Sequence, residues 1–361
     1  MKTESKVIFS PMMKNTEPLR SRMIPKISTF MFHRSPVLLC ICSCHLRIPK
    51  TRRIMKKPRI YMLCLLCGML AFTAGCGEPK KTEFSIPTTK GSRDNTPVCL
   101  EPSSPGTATF SDSTYLVDYS NASEGYITAS YTGDSPKVKF QITLPDGSLY
   151  TYNLTDKQDV FPLSSDSGTY SVGIFENISN NEYATLMFEQ FDVQIENTFG
   201  AYLYPNQYVA FQAGDKSVQL GQDLALSANT ELDVISNCYN YLISNIEYDH
   251  EKAEAVQSGY LPDMNAIIEE KKGICLDYAG LMACMLRSQK IPTHMEVGYA
   301  GTAYHAWIST YITDVGWVNG IIEFDGKNWQ LMDPTFGASV GEKKLKKYIG
   351  DGENYRVKYI Y

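Results

Sequence analysis

A glycine-led turn that opens an apolar helical stretch places the strongest constraint on this chain. The stretch runs from Lys272 to Pro292 and reads KGICLDYAGLMACMLRSQKIP. Apolar side chains recur at helical spacing after Cys275, and basic residues near the end suit the negative end of a helix dipole. Because free backbone N–H groups at a helix start stabilise a thiolate, we expect the pKa of Cys275 to lie below its ordinary value of roughly 8.5.

A base and an acid follow Cys275 in the sequence. His305 lies 30 residues later in AYHAWIST, and Asp333 lies a further 28 residues on in WQLMDPTF. A cysteine nucleophile needs a base to accept its proton and an acid to orient that base. Taken singly, each residue also fits a structural role: a packed cysteine, a partly buried strand histidine and a turn aspartate. Their conjunction in this order favours a catalytic triad of Cys275, His305 and Asp333.

The first 75 residues differ from the rest in charge. They carry 14 Lys and Arg against 2 Asp and Glu, whereas the remainder carries 20 against 37, a net charge of −17. An acidic globular part argues against nucleic acid as a partner, because phosphate neutralisation needs clustered basic side chains. Basic residues before the uncharged run 60–75 are typical of a signal peptide, and the run is shorter than the roughly 20 apolar residues of a membrane span.

Cys76 follows this signal-like segment directly. The preceding Thr73, Ala74 and Gly75 resemble the lipobox of bacterial lipoproteins, in which the cysteine is lipidated and becomes the mature N-terminus. We therefore predict lipid attachment at Cys76, although threonine stands where the motif usually has leucine. The alternative is an ordinary secretory peptide or an uncleaved anchor. Each interpretation places the globular part outside the cytoplasm, and the lipoprotein interpretation places it on the bacterial cell surface.

Composition and pattern divide the chain into five parts. Met55 stands just before the signal-like segment, so the residues before it are predicted to be an upstream extension that the mature protein lacks. A stretch rich in Pro, Ser, Thr and Gly after Cys76 is typical of a flexible tether. The predicted parts are the extension (1–54), the signal peptide (55–75), the tether (76–106), a β-sandwich (107–200) and an α+β domain (201–361).

Period-two alternation predicts the strands of the sandwich. Val138, Phe140, Ile142 and Leu144 share one face before the turn Pro145-Asp146-Gly147, which predicts a hairpin with a return strand to residue 154. About seven short strands over this part of the chain indicate an immunoglobulin-like β-sandwich, without the Cys/Trp/Cys hallmark. Further strands are predicted near 168–176 and 184–195.

The last domain begins with helices and ends with strands. Residues 231–246 carry an apolar stripe at helical spacing, and 275–289 form the helix that begins at Cys275. Helices followed by an antiparallel meander constitute an α+β arrangement. A short helix or turn is predicted near 265–271, and strands near 293–299, 304–312, 320–324 and 329–332.

Five segments of this domain resemble those of the transglutaminase-like superfamily. They are Tyr248-Asp249 after a helix, KGICLDYA, IPTHMEVGY, YHAWI and WQLMDPTF, which match in order and spacing over residues 232–336. The resemblance implies a papain-like core in which Cys275 begins a helix packed on a sheet that presents His305 and Asp333. It also implies an upstream oxyanion donor beside the N–H of Cys275, for which Tyr248 is the candidate; simple packing is the alternative for Tyr248.

The predicted function is cysteine-dependent acyl transfer, either transamidation or hydrolysis of amide and peptide bonds, on cell-envelope proteins or peptides. The alternative is a non-catalytic binding or scaffold lipoprotein in which the triad is a relic. No cluster of acidic residues has calcium-loop spacing. The four cysteines expected in the mature protein, Cys99, Cys238, Cys275 and Cys284, lack paired C-x-x-C spacing, so we predict no cofactor and no metal. Oligomeric state stays open.

Several other polar residues are assigned structural roles. Cys238 and Cys284 are predicted to be small buried hydrophobes. Asp277 is predicted to be a first-turn acid that complements the helix dipole. His250 and His294 have no apparent partner and are predicted to lie on the surface.

Overall fold

The computed structural model of the chain describes residues 83–155, 157–300, 303–319, 323–324, 329–330 and 355–361. The predicted extension and signal peptide and the lipid attachment site Cys76 lie outside the described residues. Asp333 lies outside them as well. What the sequence predicts for these parts of the chain therefore stays a prediction.

Eight strands form the N-terminal part of the described chain as two antiparallel sheets of four strands each. The strands are β1 (Thr109–Ser111), β2 (Tyr115–Asp118), β3 (Tyr126–Tyr131), β4 (Val138–Thr143), β5 (Leu149–Leu154), β6 (Asp159–Pro162), β7 (Gly168–Ser179) and β8 (Glu182–Val193). The first sheet has the order β1–β2–β3–β6 and the second has the order β5–β4–β7–β8.

The predicted hairpin around Asp146-Gly147 is confirmed. Strand β4 pairs antiparallel with β5, with Val138 opposite Leu154 and Thr143 opposite Leu149. Gly147 closes the turn at φ +86°, a left-handed conformation that glycine adopts without steric cost. The alternating apolar residues of both strands are buried, so this hairpin contributes one wall of a hydrophobic core.

Aromatic rings join the two sheets face to face. The ring of Phe140 on β4 lies 4.6 Å from that of Phe161 on β6, and Tyr152 on β5 lies 4.8 Å from the same ring, centroid to centroid. Buried Tyr170, near the start of β7, donates its hydroxyl to the carbonyls of Ser165 and Asp166, both at 3.0 Å. The phenol thus ties β7 to the loop before it.

Residues 83–106 are extended chain bound to the body of the protein, unlike the flexible tether that composition predicts. Gly91 N–H donates to Leu226 O and Val98 N–H donates to Ser288 O, each at 2.8 Å. Arg93 Nη2 donates to Gln289 O at 2.6 Å. Carbonyls at helix ends lack intrahelical donors, and N–H groups of segment 83–106 donate to them instead. The composition of this segment shows that it has few apolar side chains to bury, but composition does not reveal backbone hydrogen bonds of this kind.

Within the described residues, five α-helices follow the sheets. They are α1 (Lys216–Leu224), α2 (Glu231–Asn245), α3 (His250–Ala255), α4 (Met264–Glu270) and α5 (Cys275–Ser288). Helix α2 starts at a capping box, in which Thr230 Oγ1 accepts from Asp233 N and the Asp233 carboxylate accepts from Thr230 N. The predicted helices at 231–246, 265–271 and 275–289 are confirmed to within one or two residues. Helices α1 and α3 were not predicted.

Among the described residues, the last strands form one four-stranded sheet and two short pairs. They are β9 (Glu247–Tyr248), β10 (Lys272–Gly273), β11 (Thr293–Ala300), β12 (Ala303–Ile312), β13 (Gly316–Asn319), β14 (Glu323–Phe324), β15 (Trp329–Gln330) and β16 (Tyr355–Ile360). The sheet has the order β13–β12–β11–β16, β9 pairs parallel with β10, and β14 pairs antiparallel with β15.

Helix α5 is the centre of this part of the molecule. It packs against α1, α2 and α4 and against strands β11 and β12, and every residue from Asp277 to Ser288 is buried. Near its end, fully buried Arg287 donates to the carbonyls of Thr293, Tyr204 and Tyr361 over 2.7 to 3.1 Å. Within the described residues, no helix combines the length and apolar character that crossing a membrane requires.

Candidate active site

A turn between α4 and α5 delivers Cys275 to the first position of α5. Lys271 ends α4 in the left-handed region at φ +53°, and the chain then forms strand β10. Parallel pairing with β9 sets Gly273 opposite Tyr248, and Asp249 N–H donates to Gly273 O at 2.9 Å. The pairing therefore holds Tyr248 beside the residues that lead into Cys275.

Gly273 is required by close packing. A Cβ added there would lie 2.8 Å from Asp277 Cβ, closer than two such carbons come in proteins. Glycine at this position thus permits a close approach before the helix. The group that approaches is Asp277, a contact that the sequence did not indicate.

Cys275 is half-buried, and the electrostatics of its thiol differ from the prediction. Burial raises the pKa of the Cys275 thiol, and the carboxylate of Asp277 adds to this effect. Hydrogen bonds from the backbone N–H groups of Ala306 and Leu276 and from Tyr248 act in the opposite direction and are outweighed. The prediction of a lowered pKa is therefore wrong, because desolvation exceeds the stabilisation that the helix start supplies.

The hydroxyl of Tyr248 lies against Cys275. It interacts both with the Cys275 thiol and with the Cys275 backbone N–H, and burial raises the pKa of the phenol to about 12. A phenol with this pKa stays protonated at neutral pH and can donate a hydrogen bond. Tyr248 therefore lies beside Cys275 as a hydrogen-bond donor, and its role as an oxyanion donor stays a prediction.

His305 lies on β12, opposite Gly298 of β11. Its side chain is 7% exposed, and burial lowers the pKa of the imidazole to about 4. Nε2 is buried and has no hydrogen-bond partner among the described residues, so it does not bond the thiol of Cys275. Ala306, the residue after His305, connects β12 to Cys275, because its backbone N–H donates to the Cys275 sulfur.

Further along β12, residues Ser309 to Ile312 pair antiparallel with β13. The structure thus brings together Tyr248, Cys275 and the strand that carries His305. The third predicted member of the triad, Asp333, lies outside the described residues.

Asp277 is an acid in the first turn of α5, as predicted, but the sequence did not indicate its burial. It has no exposed surface, and its carboxylate accepts from Lys252 Nζ at 2.7 Å, from Tyr260 Oη at 2.6 Å and from Ile274 N at 2.9 Å. It does cap the helix start, but from inside the protein. A signal was available, because Asp277 is an acidic residue within an otherwise apolar run.

The remaining histidines and cysteines divide between surface and core. His250 is exposed, as predicted. His294 is largely buried instead, with its ring 3.6 Å from that of Trp317 and 3.9 Å from that of Tyr202, centroid to centroid. Cys238 and Cys284 are fully buried, which confirms their prediction. The described residues contain no group of three or more His, Cys, Asp or Glu side chains that could hold a metal ion.

Comparisons with known proteins agree with this geometry. The model of the Transglutaminase-like superfamily matches residues 218–320, a range that contains Tyr248, Cys275 and His305 and ends before Asp333. The predicted resemblance is therefore confirmed. These residues have a transglutaminase-like, papain-like fold of mixed α and β content, whereas the comparisons leave the immunoglobulin-like sandwich unconfirmed.

Individual relatives cover parts of the chain. The UPF0252 protein MJ1282 of Methanocaldococcus jannaschii is 29% identical over 23% of this chain and 27% of its own length, so the chain spans about a quarter of that relative. A candidate cysteine protease from Cytophaga hutchinsonii has 15% identity and a TM-score of 0.30, over 59% of this chain and 67% of its own. A candidate protease from Parabacteroides distasonis has 13% identity and a TM-score of 0.24, over 48% of this chain and 36% of its own.

Proposed function

We propose that this chain is an exported, lipid-anchored cysteine acyltransferase or peptidase that acts on cell-envelope proteins or peptides. The observation that carries the proposal is the set of groups around the Cys275 sulfur. At the first turn of a buried helix, half-buried Cys275 lies against the hydroxyl of Tyr248 and the N–H of Ala306, inside the segment matched as transglutaminase-like. Such a site suits a nucleophile that must be aimed at one acyl carbon.

The proposed reaction has two acyl-transfer steps. The Cys275 thiol gives its proton to His305 Nε2 as sulfur bonds to the acyl carbon, and the carbonyl electron pair moves to oxygen. Collapse of this intermediate expels the amine, which takes the proton from His305, and leaves a thioester on Cys275. Water or a second amine then attacks the thioester carbon and gives a proton to His305. The carbon–sulfur bond breaks, the sulfur takes that proton from His305, and the carboxylic acid or new amide is released.

The resting charges suit this route. With the pKa of Cys275 raised and that of His305 lowered to about 4, both groups are neutral near pH 7. A neutral imidazole can act as the general base, and its unbonded Nε2 is the atom with a free lone pair. In the proposal, Asp333 accepts from Nδ1–H and stabilises the imidazolium that forms.

Tyr248 is proposed as an oxyanion donor. Its hydroxyl accepts from Cys275 N–H, which is the other donor proposed for the oxyanion. A substrate carbonyl oxygen that took this position would receive hydrogen bonds from both groups. Removing one such donor commonly lowers kcat by about a hundredfold or more, so Tyr248→Phe should do so while leaving the fold intact.

The N-terminal sheets are proposed to form an immunoglobulin-like sandwich. The orders β2–β3–β6 and β5–β4–β7–β8 support this assignment, since they put the second and fifth strands of such a domain in one sheet and its third, sixth and seventh in the other. Tyr170 supports it as well. Its hydroxyl bonds back to the preceding loop in the manner of the tyrosine corner that many such domains share.

Export and membrane attachment complete the proposal. The basic n-region, the uncharged run and Cys76 support processing as a lipoprotein, and the net charge of −17 after residue 75 suits a domain in solution outside the cell. An N-terminal sequence that begins before Met55, or a Cys76 without lipid, would contradict this part of the proposal. Mass spectrometry of the mature protein makes both measurements.

Mass spectrometry also tests the reaction. Envelope proteins and muropeptides incubated with the wild-type protein should gain isopeptide bonds or new termini, and Cys275→Ala should produce neither. The alternative of a non-catalytic scaffold is favoured by one observation, the lack of a bond between Cys275 and His305 Nε2. If the wild-type and Cys275→Ala products are identical, the scaffold alternative holds.

A further inference from the structure

An ion pair between a buried carboxylate and a partly exposed lysine lies next to the proposed nucleophile. Asp277, two residues after Cys275, has no exposed surface, and Lys252 Nζ lies 2.7 Å from its Oδ2. A buried carboxylate with no partner is strongly unfavourable, so Asp277 needs donors to keep its charge there. Lys252 belongs to α3, whereas Asp277 belongs to α5. The ion pair therefore joins α3 to the helix that begins at Cys275.

Each oxygen of Asp277 has a defined donor. In addition to Lys252, Oδ2 accepts from Ile274 N–H at 2.9 Å, and Oδ1 accepts from Tyr260 Oη at 2.6 Å. Ile274 immediately precedes Cys275, so the carboxylate fixes the backbone from which the thiol projects. Helix α3 starts two residues after Tyr248, so Lys252 also restrains the segment that brings the Tyr248 phenol to the sulfur.

We propose that Lys252 and Asp277 form a positioning pair for Cys275. Asp277 orders the start of α5, and Lys252 cancels the negative charge that this arrangement places beside the sulfur. The inference rests on the proposed function only in taking Cys275 as the nucleophile. Both residues act through Cys275 and make no contact with the reacting acyl group.

The groups around the sulfur support this balance of charge. They are Tyr248 from β9, Asp277 from α5 and the Ala306 N–H beside His305 from β12. After burial, the charge of Asp277 is what raises the pKa of the thiol. Burial also lowers the pKa of Lys252, but hydrogen bonds to Asp277 and Tyr260 outweigh burial and leave it raised, so the amine stays protonated.

The test is the pH dependence of iodoacetamide alkylation at Cys275 in the full chain, followed by mass spectrometry of the Cys275 peptide. Lys252→Met should move the midpoint upward by about one pH unit and slow alkylation at neutral pH roughly tenfold, because Asp277 is left uncompensated. Asp277→Asn should move the midpoint downward, since Lys252 then stands alone. The double variant should return close to the wild-type midpoint.

Two controls isolate the effect. Lys252→Arg keeps the positive charge and should keep the alkylation midpoint of the wild-type protein. Lys216→Met removes a lysine of an exposed pair with Glu269, whose side chains are 55% and 59% exposed, and should leave the midpoint unchanged. If Lys252→Met does not fold, Asp277→Asn and the double variant still carry the test, because pairing is no longer needed once the buried carboxylate is neutral.

Opposite shifts that cancel in the double variant support the proposal, since structural damage would not reverse sign. Unchanged midpoints, or shifts in the same direction, overturn it. Alkylation needs no acyl substrate, so this outcome is independent of the proposed reaction. A wild-type Cys275 that alkylates normally but transfers no acyl group would contradict the proposed function and leave the positioning pair standing.

Discussion

Helix α5 buries one charged side chain near each end, and the two are satisfied in different ways. Asp277, near the start, is bound by an ammonium, a phenol and one amide. Arg287, near the end, is bound by carbonyls of three separate segments, and burial lowers its pKa to about 10. The first arrangement adjusts charge beside a thiol, whereas the second joins pieces of backbone. The comparison indicates that the start of the helix serves reactivity and that the end serves stability.

Removing Arg287 should have the largest effect on stability. Arg287→Met leaves the carbonyls of Thr293, Tyr204 and Tyr361 without their buried donor, so the free energy of unfolding should fall by about 4 kcal/mol. Urea unfolding measures the loss. Alkylation of Cys275 in the fraction that stays folded should keep its wild-type midpoint; a shifted midpoint would break the proposed division between the two ends.

Acid should destabilise the protein through His305. Its pKa is about 4 when folded and about 6.5 when unfolded, so the unfolded chain binds the proton more readily between these values. Stability should therefore fall as pH drops from 6.5 toward 4, by about 3 kcal/mol from this residue. His305→Gln should reduce the slope, and the matched control, exposed His250→Gln, should not. Equal slopes in both variants would contradict the burial of His305.

A methyl group at Gly273 should separate reactivity from stability at the start of α5. Gly273→Ala places a Cβ 2.8 Å from Asp277 Cβ, and relief of that contact should lower stability by about 2 kcal/mol. The shift should also disturb the bond from Ile274 N–H to Asp277 and slow alkylation of Cys275. Thermal unfolding and alkylation rates test the two effects, and a variant that loses stability with an unchanged rate would count against Asp277 as a positioning residue.

The smallest effect is expected where the extended segment 83–106 meets the end of α5. Arg93→Ala removes the bonds from Arg93 to Gln289, and a loss of about 1 kcal/mol is expected because the guanidinium is partly exposed. Hydrogen exchange at Val98 N–H, which donates to Ser288 O, should become faster in the same variant. Unchanged exchange would show that the segment is held by its other contacts.

Local pattern predicted most of the elements that place the site. The apolar stripe of α2 and the glycine-led start of α5 are short-range signals, and so is the alternation of β4 and β5. The sequence also predicted that Cys275 lies on a helix and His305 on a later strand, because this order depends on spacing along the chain.

Long-range contacts account for what the sequence did not show. The burial of Asp277 depends on Lys252 and Tyr260, which are distant in sequence. The raised pKa of Cys275 depends on burial by other elements of the fold, and the position of a cysteine at a helix start does not reveal that burial. Segment 83–106 is polar in composition, and it is ordered by backbone bonds to helix ends that composition does not encode.

The most direct measurement of the central claim is acylation of Cys275 by an acyl-electrophile probe near neutral pH. The wild-type protein should be acylated at Cys275 in preference to half-buried Cys99, which serves as the internal reference. His305→Ala and Asp333→Asn should both slow the reaction, with His305→Ala about a hundredfold slower, the usual size of a general-base effect. Equal labelling of Cys275 and Cys99, unchanged in His305→Ala, would contradict a catalytic Cys275.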